Sequence, residues 1–185
     1  MLSKTQPKLE TAVLGGGCFW CLEAAYQEIA GVDHVVSGFA GGSVLNPTYE
    51  AVYTGKTGHA EVVKVFFNPK VIAYSDVLDI FWAIHNPTTL NRQGHDMGTG
   101  YRSIILYGGE VQYEAAKLSI EAVAKLWEDP IVTELRPLEA FYEAEAHHQN
   151  YFKQNPQAAY CQIVINPKLI HLREKFAARL KPKFT

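Results

Sequence analysis

Seven consecutive residues, Gly15-Gly16-Gly17-Cys18-Phe19-Trp20-Cys21, constrain this chain more than any other stretch of it. Thr11–Leu14 ahead of them reads as a short strand. From Cys18 to about Ile29 the apolar positions Phe19, Leu22, Tyr26 and Ile29 recur at helical spacing, and Gly31 stops the run. Three glycines let the backbone turn sharply off the strand and bare its amides. Cys18 then falls at the start of a helix, where unpaired N–H groups and the macrodipole favour negative charge and so a thiolate. Cys21 follows on a neighbouring part of the same face.

Other uses of such a turn fit less well. A dinucleotide fingerprint needs a third glycine where Trp20 stands. A structural zinc site needs four ligands, and beyond this pair only Cys161 remains, with a histidine to complete it. Three cysteines, an odd number, also argue against a set of structural bridges. The aromatic side chains of Phe19 and Trp20 beside a reactive thiol suit a small apolar group, such as a methyl, held by shape.

Elsewhere the chain alternates strands and helices. Val32–Ala40 and Ala60–Phe67 read as strands, with an irregular Gly-, Asn- and Pro-bearing stretch, 43–58, between them. Ser75 can cap a helix running to about His85, followed by a polar loop over 86–100. Arg102–Tyr107 reads as a strand and Val111–Trp127 as an amphipathic helix. Two extended pieces follow near 131–134 and 139–141, then helices near 145–153 and 168–179, with Cys161 on a looser segment between them. The expectation is one catalytic domain over residues 1–185, with its core at about 11–180. Its fold class is α+β, a two-layer sandwich of a mixed, mainly antiparallel sheet with packed helices and a ferredoxin-like βαββαβ core.

Composition narrows the partners. A net charge of −2 gives no basic field for nucleic acid. No run of about 18 apolar residues could cross a membrane, and the first ten residues hold no apolar signal region. The expected setting is the cytosol, where thiols stay reduced. The basic tail, Lys175, Arg179, Lys181 and Lys183, reads as the solvated side of a helix end, and the seven histidines as scattered surface or core residues.

The cysteine block, taken with several others in order, closely resembles the peptide methionine sulfoxide reductase A family. The other blocks are Gly38–Gly42, Asn46-Pro47-Thr48-Tyr49-Glu50, Thr54–Glu61, Thr88–Gly94, Gly98–Ser103, and Ala144-Glu145 with His148-Gln149 and Tyr151. The resemblance runs from about Thr11 to Phe176. It implies reduction of the S epimer of methionine sulfoxide, free or in proteins, to methionine. Residue by residue, Cys18 matches the nucleophile, Glu61 the acid, and Tyr49 and Tyr101 the phenols that bind the sulfoxide oxygen. Asp96 matches a polar residue of the same site, and Phe19 and Trp20 the pocket for the substrate's methyl. Cys161 matches the usual resolving position and is expected to condense first with the oxidised nucleophile, with Cys21 competing or relaying. Thioredoxin, or dithiothreitol in vitro, is the implied reductant, with no bound cofactor, no metal and a monomeric enzyme.

The chemistry is coherent on its own. Protonating a sulfoxide oxygen needs a carboxylic acid whose pKa is raised by desolvation, and Glu61 sits among Ala60, Val62 and Val63. Oxidation of Cys18 leaves a sulfenic acid that a second thiol must trap. Phe39, Asn86, His95, Gly100 and His147 depart from the family pattern without touching these positions. The rival from the residues alone is a thioredoxin-like dithiol oxidoreductase, in which Cys18 and Cys21 suffice and Glu61 is dispensable.

Overall fold

The structure, a computed structural model, describes residues 8–182, so Lys183 of the basic tail and most of the N-terminal stretch lie outside it. β1 (Glu10–Gly15) leads through the glycine turn into α1 (Phe19–Gln27), then β2 (Val32–Ala40), α2 (Tyr49–Tyr53), β3 (Ala60–Phe67) and α3 (Tyr74–Ile84). A two-residue ribbon, β4 (Arg92–Gln93) with β5 (Asp96–Met97), precedes β6 (Ile104–Tyr107) and α4 (Glu110–Val123). The chain ends with β7 (Glu134–Pro137), β8 (Phe141–Glu143), α5 (Tyr151–Gln154) and α6 (Asn166–Lys175).

Six strands form one sheet in the order β7-β6-β1-β3-β2-β8, antiparallel except for the β6–β7 pair. The mixed, mainly antiparallel sheet with packed helices is the α+β architecture expected. Period-2 alternation sorts its residues onto two faces. Ala12, Leu14, Val63, Val65 and Phe67 meet α1, α3 and α6 in one core with Phe19, Leu22, Tyr26, Phe81 and Leu169. Val13, Ala40, Ala60, Val62, Ile104 and Leu106 form a smaller cluster on the opposite face, flanked by Leu138 and Phe141. A fully buried Phe or Leu contributes roughly 1.5–3 kcal/mol, so the larger core holds the helices in place over the sheet.

Several sequence boundaries move. The α3 cap is Ala73 rather than Ser75, and Asp76 Oδ2 accepts from the Ala73 amide at 3.2 Å. The stretch 43–58, read as irregular, contains α2, whose cap Thr48 accepts from the Ala51 amide at 3.2 Å. The expected helix over 145–153 is split into a 3₁₀ turn (Ala146–His148) and α5 by Asn150 in the left-handed region (φ 53°). The two extended pieces lie three and two residues later than read, because β7 takes its register from β6 and β8 from β2. Cys161 is not on a loose segment: it opens a π-helical turn, Cys161–Ile165, that runs directly into α6, and it is fully buried.

The glycine turn explains how two distant elements meet. A Cβ on Gly15 would lie 2.8 Å from the Glu61 carbonyl oxygen, so only glycine lets the end of β1 close onto the start of β3. Gly17 has φ +92° and a Cβ there would sit 2.7 Å from Gln93 Cγ. Gly17→Ala therefore adds left-handed strain and a clash, and should cost about 1–3 kcal/mol of stability. A urea unfolding curve superimposable on that of the parent chain would refute this account of the turn.

Candidate active site

Cys18 is the N-cap of α1. The next amide, Phe19 N–H, donates to Glu61 Oε2 at 3.0 Å. Glu61 faces the helix layer because it shares the parity of Val63 and Val65 on β3, and it pairs in register with Phe39 of β2. The start of the cysteine-bearing helix and the carboxyl are thereby tied together across 42 residues of sequence.

Burial governs the titration of both. It raises the Glu61 pKa to about 8 against the one compensating amide, with the carboxylate of Asp96 and Cys21 adding to the rise, so the group is a neutral acid at pH 7. Burial also pushes the Cys18 thiol well above the usual cysteine range, reinforced by the hydrogen bond with Cys21 and by Glu61. The helix N-terminus expected to favour a Cys18 thiolate is thus outweighed by desolvation in the resting site. Cys21 moves the other way, down to about 7, because Cys18 hydrogen-bonds to its sulfur. The backbone keeps the two residues together through the bond from Cys21 N–H to Cys18 O at 3.1 Å.

Both phenols named from the sequence are here. Burial, then Glu61 and Cys18, raises Tyr49 to about 12, and burial followed by Glu61 and Tyr49 raises Tyr101. Each stays protonated and can donate near neutral pH. Tyr49 opens α2, and its amide donates to Glu145 Oε1 at 3.0 Å. Tyr101 lines a small cleft with Glu61, Val52, Met97 and Thr99. Asp96, on β5, accepts from the Tyr160 hydroxyl at 2.7 Å.

Phe19 is fully buried and lies behind the site, 5.7 Å from Phe39 and 6.4 Å from Tyr49 between ring centroids. Trp20 is half-buried, stacked face to face on Tyr151 at 3.6 Å, with Tyr160 edge-on at 5.8 Å. Two residues escaped the sequence reading. The Tyr160 hydroxyl also lies 3.9 Å from Cys21 Sγ, which makes it the neighbour of both thiols and of Asp96. His148 sits 4.4 Å from Tyr49 and 5.4 Å from Phe19, buried, with neither ring nitrogen hydrogen-bonded. The pair His147-His148 was visible as a motif, but helical or strand periodicity could not place it against Tyr49; Tyr160 had no signal besides its neighbour Cys161.

Among the described residues no three His, Cys, Asp or Glu side chains converge as a metal site, and no helix is long and apolar enough to cross a membrane.

Residues 10–180 match the family model described as peptide methionine sulfoxide reductase. A relative from Polynucleobacter asymbioticus, peptide methionine sulfoxide reductase MsrA, is 51% identical over 183 residues, covering 98% of this chain and 96% of its own. Among solved structures, Mxr1 from Saccharomyces cerevisiae in reduced form is similar with a TM-score of 0.79 and 34% identity, over 86% of this chain and 95% of that one. Mxr1 in complex with Trx2 is similar at a TM-score of 0.57 and 26% identity, over 81% and 92% of the two chains.

A raised carboxyl pKa destabilises the fold as pH rises. Above its ordinary value of about 4.5 the unfolded chain ionises Glu61, while the folded chain holds the proton until about 8. Stability attributable to this group is therefore lost progressively between those values, on the order of 3 kcal/mol by pH 7. Glu61→Gln keeps an acceptor for Phe19 N–H without the ionisation. It should raise the melting temperature at pH 7–8 and leave it nearly unchanged at pH 4.5. Equal shifts at both pH values would contradict the buried-acid assignment.

Proposed function

The chain belongs to the peptide methionine sulfoxide reductase family and is an oxidoreductase that reduces methionine sulfoxide, and we propose that it does so on the S epimer with Cys18 as nucleophile and Glu61 as acid. The observation that carries this assignment is the 3.0 Å bond from Phe19 N–H to the buried Glu61 carboxyl, which fixes a neutral acid one residue from the thiol. Cys18 sulfur adds to the sulfoxide sulfur while Glu61 protonates the oxygen and takes up the Cys18 proton, so the carboxyl ends the step as it began. The oxygen leaves with Cys18 as a sulfenic acid, and methionine departs as the thioether. Tyr49 and Tyr101, held protonated, donate to the sulfoxide oxygen as charge builds there. Phe19 and Trp20 receive the methyl, and Asp96 binds polar parts of the substrate.

The thiol order favoured here reverses the expectation from resemblance. The Cys21 thiol, lowered to about 7 by its neighbour Cys18, is held beside it by a backbone bond, whereas Cys161 is fully buried in the π turn. Cys21 thiol condenses with the Cys18 sulfenic acid, releasing water and forming the first disulfide. Cys161, whose turn packs on α1, then takes over the bridge by exchange. A thioredoxin dithiol returns the enzyme to the reduced state, a reading supported by the similarity to Mxr1 as solved with Trx2. The reaction needs no bound cofactor or metal, and the reading is of a monomer at work in the cytosol.

Two measurements test this. kcat/KM for methionine S-sulfoxide should fall as pH rises through about 8, and Glu61→Gln should lose about 10²–10⁴-fold in rate together with that falling limb. Reaction with the sulfoxide in the absence of reductant, followed by peptide mass mapping, should give a Cys18–Cys21 bridge in Cys161→Ser. If Cys21→Ser forms a Cys18–Cys161 bridge as fast as the parent chain consumes its sulfenic acid, the order is wrong.

A further inference from the structure

Met97 is one of two methionines in the chain, the other being Met1. It is 71% exposed and lies on β5, at the edge of the cleft that contains Glu61 and Tyr101. The ribbon that carries it is open: a Cβ on Gly94 or Gly98, on either side of it, would meet nothing within 4 Å. A thioether so placed is accessible to any peroxide that approaches the site, and its sulfoxide would stand in solvent on a short, glycine-flanked strand.

The ribbon that carries Met97 is held by several bonds of its own. Arg92 and Gln93 pair with Met97 and Asp96, Gly98 N–H donates to Asn91 O at 2.9 Å, and Arg92 Nε–H donates to Gly94 O at 2.8 Å. The preceding residue, Asp96, is held in turn by Tyr160. With these bonds intact the side chain of Met97 stays exposed, so another molecule's site can receive it without disturbing the ribbon.

We propose that Met97 is a peroxide-oxidised site of the enzyme itself and that its S-sulfoxide is a substrate for a second copy of this chain. The inference rests on the sulfoxide reductase reading. Hydrogen peroxide transfers one oxygen to the thioether and leaves as water. The second copy's Cys18 accepts that oxygen as a sulfenic acid and restores the thioether, a second thiol condenses with release of water, and a dithiol reduces the bridge. Repair of the Met97 sulfoxide thus requires that some copies remain reduced.

The test uses Cys18→Ser, which cannot reduce its own sulfoxide, with Cys18→Ala as a second background. After treatment with hydrogen peroxide, quenching and reduction of its thiols by dithiothreitol, its Met97 peptide should gain about 16 Da. That gain should be missing from the corresponding peptide of a Cys18→Ser/Met97→Leu chain. A substoichiometric amount of isotope-labelled parent chain with dithiothreitol should then remove about half of the gain, since peroxide yields both epimers and one is reduced. Free methionine S-sulfoxide in the same mixture separates the two ways of failing. If it is consumed while the Met97 mass stays high, trans repair is wrong and the reductase reading stands. If it is not consumed, both fall. A Met97 peptide that never gains mass also overturns the proposal.

Discussion

A single hydrogen bond, from the Phe19 amide to the Glu61 carboxyl, joins the two halves of the site, and most of the surrounding architecture can be understood as making it possible. The first amide of a helix needs an acceptor, and a carboxyl buried in a sheet face needs a donor. Each meets the other's requirement only because β1 ends flush against the start of β3, an approach that tolerates no Cβ at Gly15. One amide is too little to hold the carboxylate ionised against desolvation, and so the acid stays neutral up to about 8. A second or third donor would have stabilised the anion and removed the proton that the proposed acid has to give.

The support beneath this bond is electrically quiet. A Cβ on Gly16 would lie 2.9 Å from the His85 ring, so the turn rests directly on that imidazole. Phe81 O can only accept, which makes His85 Nδ1 the donor at 2.6 Å and leaves Nε2 to accept from Ser103 Oγ at 2.7 Å. Burial lowers this histidine to about 3. It therefore stays neutral across the range in which Cys21 and Glu61 change charge, and the floor of the site does not move with them.

Much of this was legible in the sequence because the relevant signals are local. Val32–Ala40 and Ala60–Phe67 have the residues and alternation of strands, and both are strands with those bounds. The glycines before Cys18 announce a strand-to-helix turn, and Cys18 is the cap of α1. Glu61, Tyr49, Tyr101 and Asp96 were named by resemblance; in the structure Glu61 accepts from the amide next to Cys18, Tyr101 shares its cleft, Tyr49 opens α2 and Asp96 accepts from Tyr160. What stayed hidden is either short or non-local. Helix α2 spans only Tyr49–Tyr53, although Thr48 followed by Glu50 was a capping signal that could have been used. A π turn breaks the 3.6-residue period that would have extended α6 back to Cys161. The preference for a Cys18 thiolate failed because a dipole argument contains no desolvation, which depends on what covers the sulfur.

That covering comes from the far end of the chain. Tyr151 lies flat on Trp20, and Tyr160 stands edge-on to it while donating to Asp96. The segment bearing the third cysteine therefore closes over the aromatic wall and anchors on a polar residue of the site. A methyl group that enters beside Trp20 must compete with these rings, and a substrate group that needs Asp96 must compete with the Tyr160 hydroxyl. Tyr160 immediately precedes the π turn, Cys161–Ile165, which packs on α1. The rings of Tyr151 and Tyr160 therefore border both the aromatic wall at Trp20 and the turn that carries Cys161, so the wall and the third thiol are set by the same few contacts.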